Sequence, residues 1–181
     1  MAEIRTSVMI NSTQEKIWDV ISDIDNEPKF WKGTKEVRNI SKDGKNISRE
    51  ITIAFRDQKC LQNVTITPKE MIRAVFTEGV IVGEKILTLK NNGDSCELEA
   101  IWDVKLSGMM GMFTGMIKKH IKSGTEQALQ AIKKEVENYL NIFSGYPYIF
   151  NLGHGVLPET KPETIKHVTN LVRKKNERKS S

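Results

Sequence analysis

The chain has 181 residues, 38% hydrophobic and 28% charged, a composition typical of a folded globular protein, with no apolar run long enough to cross a bilayer. Its first residues lack a signal-peptide pattern, and Cys60 and Cys96 are too few for a disulfide framework, so we expect a cytoplasmic protein. The net charge of +5 is concentrated in residues 145–181, which hold seven Lys or Arg and three Glu, so we expect no specific nucleic-acid partner.

The first elements are predicted to be a strand and two short helices. Residues Glu3–Asn11 form a strand, and helices follow over Ser12–Ile21 and Asn26–Lys32. Ser12 and Glu15 have the spacing of a capping box, in which both side chains bind free amide groups at a helix start. The second helix is predicted to begin at Asn-Glu-Pro, because proline is tolerated in a first helical turn.

A run of strands follows, separated by turns. The turns at Lys42–Lys45 and Asn91–Asp94 contain Asp-Gly and Asn-Gly, which are typical of hairpins. Short hairpins make the sheet antiparallel, and strict alternation along the last strand predicts one buried and one wet face. The predicted strands are Ile47–Phe55, Cys60–Thr67, Met71–Thr77, Glu84–Lys90 and Cys96–Leu106.

A long amphipathic helix then covers about Gly111–Phe143, with apolar residues at i, i+3 and i+4 spacing along one face. At 1.5 Å per residue, this helix is long enough to span the whole sheet. The order of elements predicts an α+β fold in which a curved antiparallel sheet wraps one long helix. A sheet and helix arranged in this way leave a space between them that suits a small apolar molecule.

This pattern resembles the START-like helix-grip superfamily, and within it the polyketide cyclase/dehydrase and lipid transport branch. The resemblance covers residues 3–143, and its best local signature is the segment EKIWDVISDID at residues 15–25. It implies binding or transport of a lipid, quinone or polyketide-like molecule between sheet and helix, with no cofactor. Some members of the superfamily are enzymes, so a cyclase/dehydratase-type enzyme is the alternative to a binding protein. The superfamily shares no catalytic residue set that would decide between the two.

The end of the chain resembles a different family. Residues 146–174, with the motif FNLGHG, are similar to the C-terminal end of uroporphyrinogen decarboxylase, the last strand and helix of a (β/α)8 barrel. His154 matches a family histidine that faces the active-site cleft. The rest of the barrel has no counterpart in residues 1–145, so we expect no decarboxylation. We therefore divide the chain into a ligand-binding domain, 1–144, and a tail, 145–181, which is a gene-fusion remnant or a link to haem biosynthesis.

Arg49 is the most informative candidate site residue. Alternation places it on the same strand face as Ile51, Ile53 and Phe55, so its side chain should point inward. A buried arginine needs an acceptor or an anion. That partner is the carboxylate or phosphate of a ligand, or else Arg49 forms an internal ion pair, reaches solvent at the strand end, or is flipped outward by a bulge.

The remaining pocket candidates lie on the inward face of the strands and at the edge of the long helix. Arg49, Gln62 and His120 are the polar side chains that an enzyme could use, but we predict no catalytic residue among them. The three His and two Cys show no metal-ligand spacing, so we expect no metal site. The full set of pocket candidates is Arg49, Phe55, Gln62, Trp102, Val104, Met116 and His120.

The segment that joins the last strand to the long helix, Leu106–Met116, is rich in methionine and glycine. This composition fits a gate for an apolar ligand, a patch that touches a membrane transiently, or an irregular helix start with buried methionines. The tail helix carries an apolar stripe that should pack on the main domain or on a second subunit of a homodimer. The gate or lid candidates are Phe30, Trp31, Met109, Met110 and Met112.

Overall fold

The computed structural model of the protein describes residues 2–108 and 114–141. Seven strands, two α-helices and one 3-10 helix occupy these residues. In chain order the elements are β1 (Ala2–Ile10), α1 (Gln14–Ile21), the 3-10 helix (Ile24–Lys29), β2 (Thr34–Asp43), β3 (Asn46–Ile53), β4 (Lys59–Thr67), β5 (Met71–Glu78), β6 (Ile81–Asn91), β7 (Cys96–Leu106) and α2 (Thr114–Asn141).

The strands form one antiparallel sheet in the order β1-β7-β6-β5-β4-β3-β2. The β2–β3 and β6–β7 hairpins turn at Gly44 and Gly93, whose φ angles of 53° and 82° favour glycine. The predicted α+β helix-grip fold is confirmed, since α2 follows the last strand and packs on the sheet. The predicted tail and the boundary at 144/145 lie outside the described residues.

The predicted boundaries of the first two helices are wrong in detail. Thr13, not Ser12, caps α1, because its extended backbone lets Oγ1 accept a hydrogen bond from the Lys16 amide at 3.5 Å. The second helix is a 3-10 helix that begins two residues earlier than predicted. Asn26 does not cap it, because it lies inside the helix, where its side-chain amide donates to Asp23 Oδ2 at 2.7 Å.

The sheet also departs from the sequence prediction at three places. The bounds of strand β2 were not predicted, because it is an edge strand with mostly exposed, polar residues and shows no apolar alternation. Strand β3 ends at Ile53, so Phe55 lies in the following turn and does not share the strand face of Arg49. Glu99, expected on the wet face of β7, is buried and accepts a hydrogen bond from Arg5 Nη1 at 3.2 Å.

The core has two parts, and their positions leave room for a cavity. The larger part packs the second half of α2, through Ala128, Leu129, Ile132 and Val136, against the concave face of the sheet. The smaller part lies toward the other end of the sheet, and only Ile121 of α2 packs against it among the described residues. The first half of α2 therefore lies over the sheet without filling the space beneath it. Within residues 2–108 and 114–141, every helix is too short or too polar to span a bilayer.

Candidate ligand-binding cavity

A cavity of about 500 Å3 lies between the concave face of the sheet and the first half of α2. Its walls come from β3 to β7, from the segment after the 3-10 helix, and from α2. Most of the side chains that line it are apolar, and the polar ones are few. The apolar lining residues are Trp31, Ile51, Ile53, Ala54, Phe55, Phe76, Val80, Ile81, Trp102, Leu106, Ile117 and Ile121; the polar ones are Glu27, Lys32, Thr34, Gln62, His120 and Thr125; Gly33 and Gly124 complete the lining.

A cluster of three buried charged side chains adjoins this cavity, which Glu27 lines, whereas Arg49 and Lys85 line a second cavity of about 30 Å3. Glu27, from the 3-10 helix, forms ion pairs with Arg49 of β3 and Lys85 of β6, one through each carboxylate oxygen. Arg49 is 1% exposed, and it also donates from Nε to Gln62 Oε1 at 2.9 Å and from Nη1 to the Ile24 carbonyl at 3.1 Å. Of the alternatives for Arg49, the structure therefore contains the internal ion pair. These contacts also fasten the 3-10 helix to the sheet.

The charge cluster determines the pKa of its own members. Burial opposes ionisation of Glu27, but the charges of Lys85 and Arg49 and their hydrogen bonds outweigh it and lower the pKa of Glu27 from 4.5 to about 2. Burial lowers the pKa of Lys85, while Glu27 acts in the opposite direction. Glu27 is thus held as a carboxylate between two basic side chains, Arg49 and Lys85.

We expect the lowered pKa of Glu27 to make stability depend on acid pH. Between about pH 2 and pH 4.5 the unfolded state binds more protons than the folded state, so stabilisation present above pH 4.5 is lost as pH falls through 2. We compare the free energy of unfolding of the wild type with that of a Glu27→Gln variant. The wild-type value minus the variant value should be about 2 kcal/mol smaller at about pH 3 than at about pH 6. Urea denaturation at both pH values measures this difference, and a constant difference would contradict the assignment.

An aromatic wall adjoins the charge cluster. Lys85 Nζ lies 4.0 Å from the ring centroid of Trp31 and 5.3 Å from that of Trp102, distances that suit cation–π attraction. The two indole rings meet edge to face with centroids 5.9 Å apart, and Phe76 lies 6.2 Å from Trp102. The Nε1 atom of Trp102 is buried and has no hydrogen-bond partner among the described residues. The charged cluster and the apolar lining are therefore continuous.

The structure places the predicted candidates in different positions. Arg49 lies in the charge cluster and is not among the residues that line the large cavity. Val104 belongs to the smaller core cluster, and Phe30 borders the second cavity of about 30 Å3. The side chain of Met116 and all of Met109, Met110 and Met112 lie outside the described residues. The candidates that line the large cavity are Trp31, Phe55, Gln62, Trp102 and His120.

Sequence reasoning missed Glu27 and Lys85. Lys85 carried the same signal as Arg49, because it alternates with Leu87 and Leu89 on the buried face of β6. A charged residue in such a position predicts a buried partner of opposite charge. Glu27 gave no comparable signal, since a glutamate in a short polar helix is usually exposed.

A curved antiparallel sheet that grips a long helix around an apolar cavity is the architecture of START-like ligand-binding proteins. The chain belongs to the polyketide cyclase/dehydrase and lipid transport family, whose model matches residues 1–137. It is similar in fold to the Zhui aromatase/cyclase from a Streptomyces species (TM-score 0.64, 11% identity, 77% of this chain and 95% of that one). A START superfamily protein from Mycobacterium smegmatis is also similar (TM-score 0.62, 17% identity, 76% and 98%).

The end of the chain matches a second family over a short segment. The uroporphyrinogen decarboxylase model matches residues 125–175. The enzyme of that name from Granulibacter bethesdensis is 43% identical over 44 residues, which are 24% of this chain and 13% of that one. For the Campylobacter hominis enzyme the identity is 48% over 46 residues, 25% of this chain and 14% of that one. The chain thus shares only about one seventh of the length of these relatives.

Proposed function

We propose that the protein binds or carries a hydrophobic small molecule, such as a lipid, quinone or polyketide-like compound, in the cavity beneath α2. The observation that carries this proposal is a cavity of about 500 Å3 with a mostly apolar lining. That volume lies in the range typical of small-molecule sites, which combine apolar walls with a few polar groups. Membership of a family of polyketide cyclases, dehydrases and lipid transport proteins supports the same function.

Binding is favoured over catalysis by the contacts of the polar candidates. Arg49 donates hydrogen bonds to Gln62, Glu27 and the Ile24 carbonyl, so its guanidinium serves the fold. His120 lines the cavity but is exposed on α2. An acid–base pair would need two groups that converge on one reacting atom. Arg49 and His120 do not form such a pair, so we propose a carrier or binding role.

We expect Trp102 to report binding through its fluorescence. Decanoate entering the cavity should change the emission of Trp102, because its ring forms part of the wall. A Trp102→Phe variant should lose about half or more of the decanoate-induced change, with the remainder coming from Trp31. The measurement is a fluorescence titration, accompanied by mass spectrometry of small molecules that co-purify with the protein.

Trp18 provides the matched control. It is partly buried in the main core but does not line the cavity, so a Trp18→Phe variant should keep the full decanoate-induced change. Absence of any saturable response in the wild type would contradict the proposed function. An unaltered titration in Trp102→Phe would show instead that ligands bind away from this wall.

A further inference from the structure

The orientation of the Gln62 side chain is determined by Arg49. Arginine only donates hydrogen bonds, so the amide oxygen of Gln62 must face Arg49 Nε, which lies 2.9 Å away. The amide nitrogen therefore points away from Arg49. Gln62 is 1% exposed and lines the large cavity. Within the described residues its side chain forms the hydrogen bond to Arg49, and Nε2 is not one of the enclosed atoms without a partner, so this atom borders accessible space. A buried amide thus presents unused N–H donors at the cavity wall.

Trp102 lies in the same wall, but its indole N–H is enclosed. Indole Nε1 can only donate, and in Trp102 this atom is buried without a partner in the described part of the chain, so it offers a ligand in the cavity almost no accessible surface. Gln62 and Trp102 are linked through the charge cluster: Gln62 contacts Arg49, Glu27 bridges Arg49 to Lys85, and Lys85 lies over Trp102. The Gln62 amide is therefore the donor of this region that can meet a ligand.

The carboxylate of this region is already engaged. Both carboxylate oxygens of Glu27 accept from Arg49 and Lys85. The Thr125 hydroxyl donates to the Ile121 carbonyl at 2.7 Å and keeps its oxygen as an acceptor, and Lys32 and His120 lie on exposed parts of the cavity edge. With the Arg49 guanidinium behind the Gln62 amide, this part of the wall favours a ligand group that accepts hydrogen bonds.

We propose that the ligand of this cavity carries an acceptor oxygen, a carbonyl, carboxylate or phenolate, that binds the amide N–H of Gln62. This inference rests on the proposed function and specifies it further. A ligand that covers an unpaired donor without bonding to it incurs a cost, and an acceptor oxygen on the ligand removes that cost. A purely apolar molecule of equal size leaves the Gln62 donor unpaired, and an ammonium group places a second donor against it.

The test uses four naphthalene probes of similar size, measured by calorimetry on the full chain. They are 2-naphthoate, 2-acetylnaphthalene, 2-ethylnaphthalene and 2-naphthylmethylammonium. The naphthoate and acetyl compounds should bind about tenfold or more tightly than the ethyl compound, and the ammonium compound should bind most weakly. A preference for naphthoate over the acetyl compound identifies an anionic oxygen, and equal affinity identifies a neutral carbonyl.

Gln62→Met tests the assigned donor directly. It should lower the affinity of the two acceptor probes about tenfold and leave that of 2-ethylnaphthalene unchanged, whereas Gln58→Met in an exposed turn should change neither. Thermal melting of Gln62→Met checks that the variant is folded. Gln62→Glu is a second variant, which keeps an acceptor for Arg49. It should lose the same affinity for 2-naphthoate. Equal wild-type affinity for the acceptor and ethyl probes would overturn this inference alone. Binding of none of the four probes would overturn the proposed function as well.

Discussion

Replacing Glu27 with alanine is expected to lower the free energy of unfolding by about 3–5 kcal/mol. The substitution leaves Arg49 and Lys85, whose side chains are 1% and 5% exposed, as buried basic groups without their anion. It also releases the 3-10 helix from β3 and β6. Urea denaturation at neutral pH measures the loss, which should shift the midpoint of unfolding without a large change in slope.

Asp25 is a matched control for this prediction, because it lies in the same 3-10 helix and also forms an ion pair. Its partners, Lys42 at 2.9 Å and Asn39 at 2.7 Å, are on β2, and the Asp25–Lys42 pair is half exposed. Asp25→Ala should therefore cost less than about 1 kcal/mol. If Glu27→Ala cost no more than Asp25→Ala, the buried cluster would contribute nothing particular to the fold.

A combined variant separates the unpaired charges from other effects of the substitution. Replacing Glu27, Arg49 and Lys85 together with methionine removes all three charges and keeps side chains of similar length. Such replacements of buried ion pairs are often neutral or stabilising, so the triple variant should be more stable than Glu27→Ala alone. A triple variant less stable than the single one would mean that the ion pairs themselves hold the 3-10 helix in place.

Local patterns in the sequence were sufficient to predict most of the sheet. Strand β7 was predicted because its residues alternate, and both hairpins were predicted because Asp-Gly and Asn-Gly favour positive φ. The first hairpin implies strand β2, but its bounds could not be predicted because an exposed edge strand needs no apolar face. In this chain, prediction succeeded where burial leaves a periodic signal and failed where it does not.

The candidate site depended on contacts that a sequence does not display. Alternation showed that Arg49 points inward, but its partner Glu27 comes from a separate 3-10 helix, 22 residues earlier. The apolar stripe of α2 was also clear, yet the stripe alone does not tell which half packs on the core. Ile132 packs in the core and Ile117 lines the cavity, although both belong to the same stripe. Only the curvature of the sheet separates the two roles.

Gly124→Phe is expected to block the cavity while leaving the fold intact. Gly124 lies in α2 and lines the cavity, and a Cβ added there would meet no atom within 4 Å. A phenyl ring at this position extends into space that the ligand would occupy, so the affinity for decanoate should fall about tenfold to a hundredfold. Replacing a helical glycine removes a penalty of up to about 1 kcal/mol, so the melting temperature should not fall.

Two controls distinguish a filled cavity from a changed helix. Gly124→Ala gains the same helix propensity but adds only a methyl group, so decanoate should bind to it nearly as tightly as to the wild type. Gly115→Phe adds the same ring to an exposed position of α2 that does not line the cavity and where a Cβ also meets no atom within 4 Å. Its affinity should equal that of the wild type. The three variants share one helix, so a loss of binding confined to Gly124→Phe assigns the ligand to the space beneath α2. Wild-type affinity in Gly124→Phe would place the ligand elsewhere.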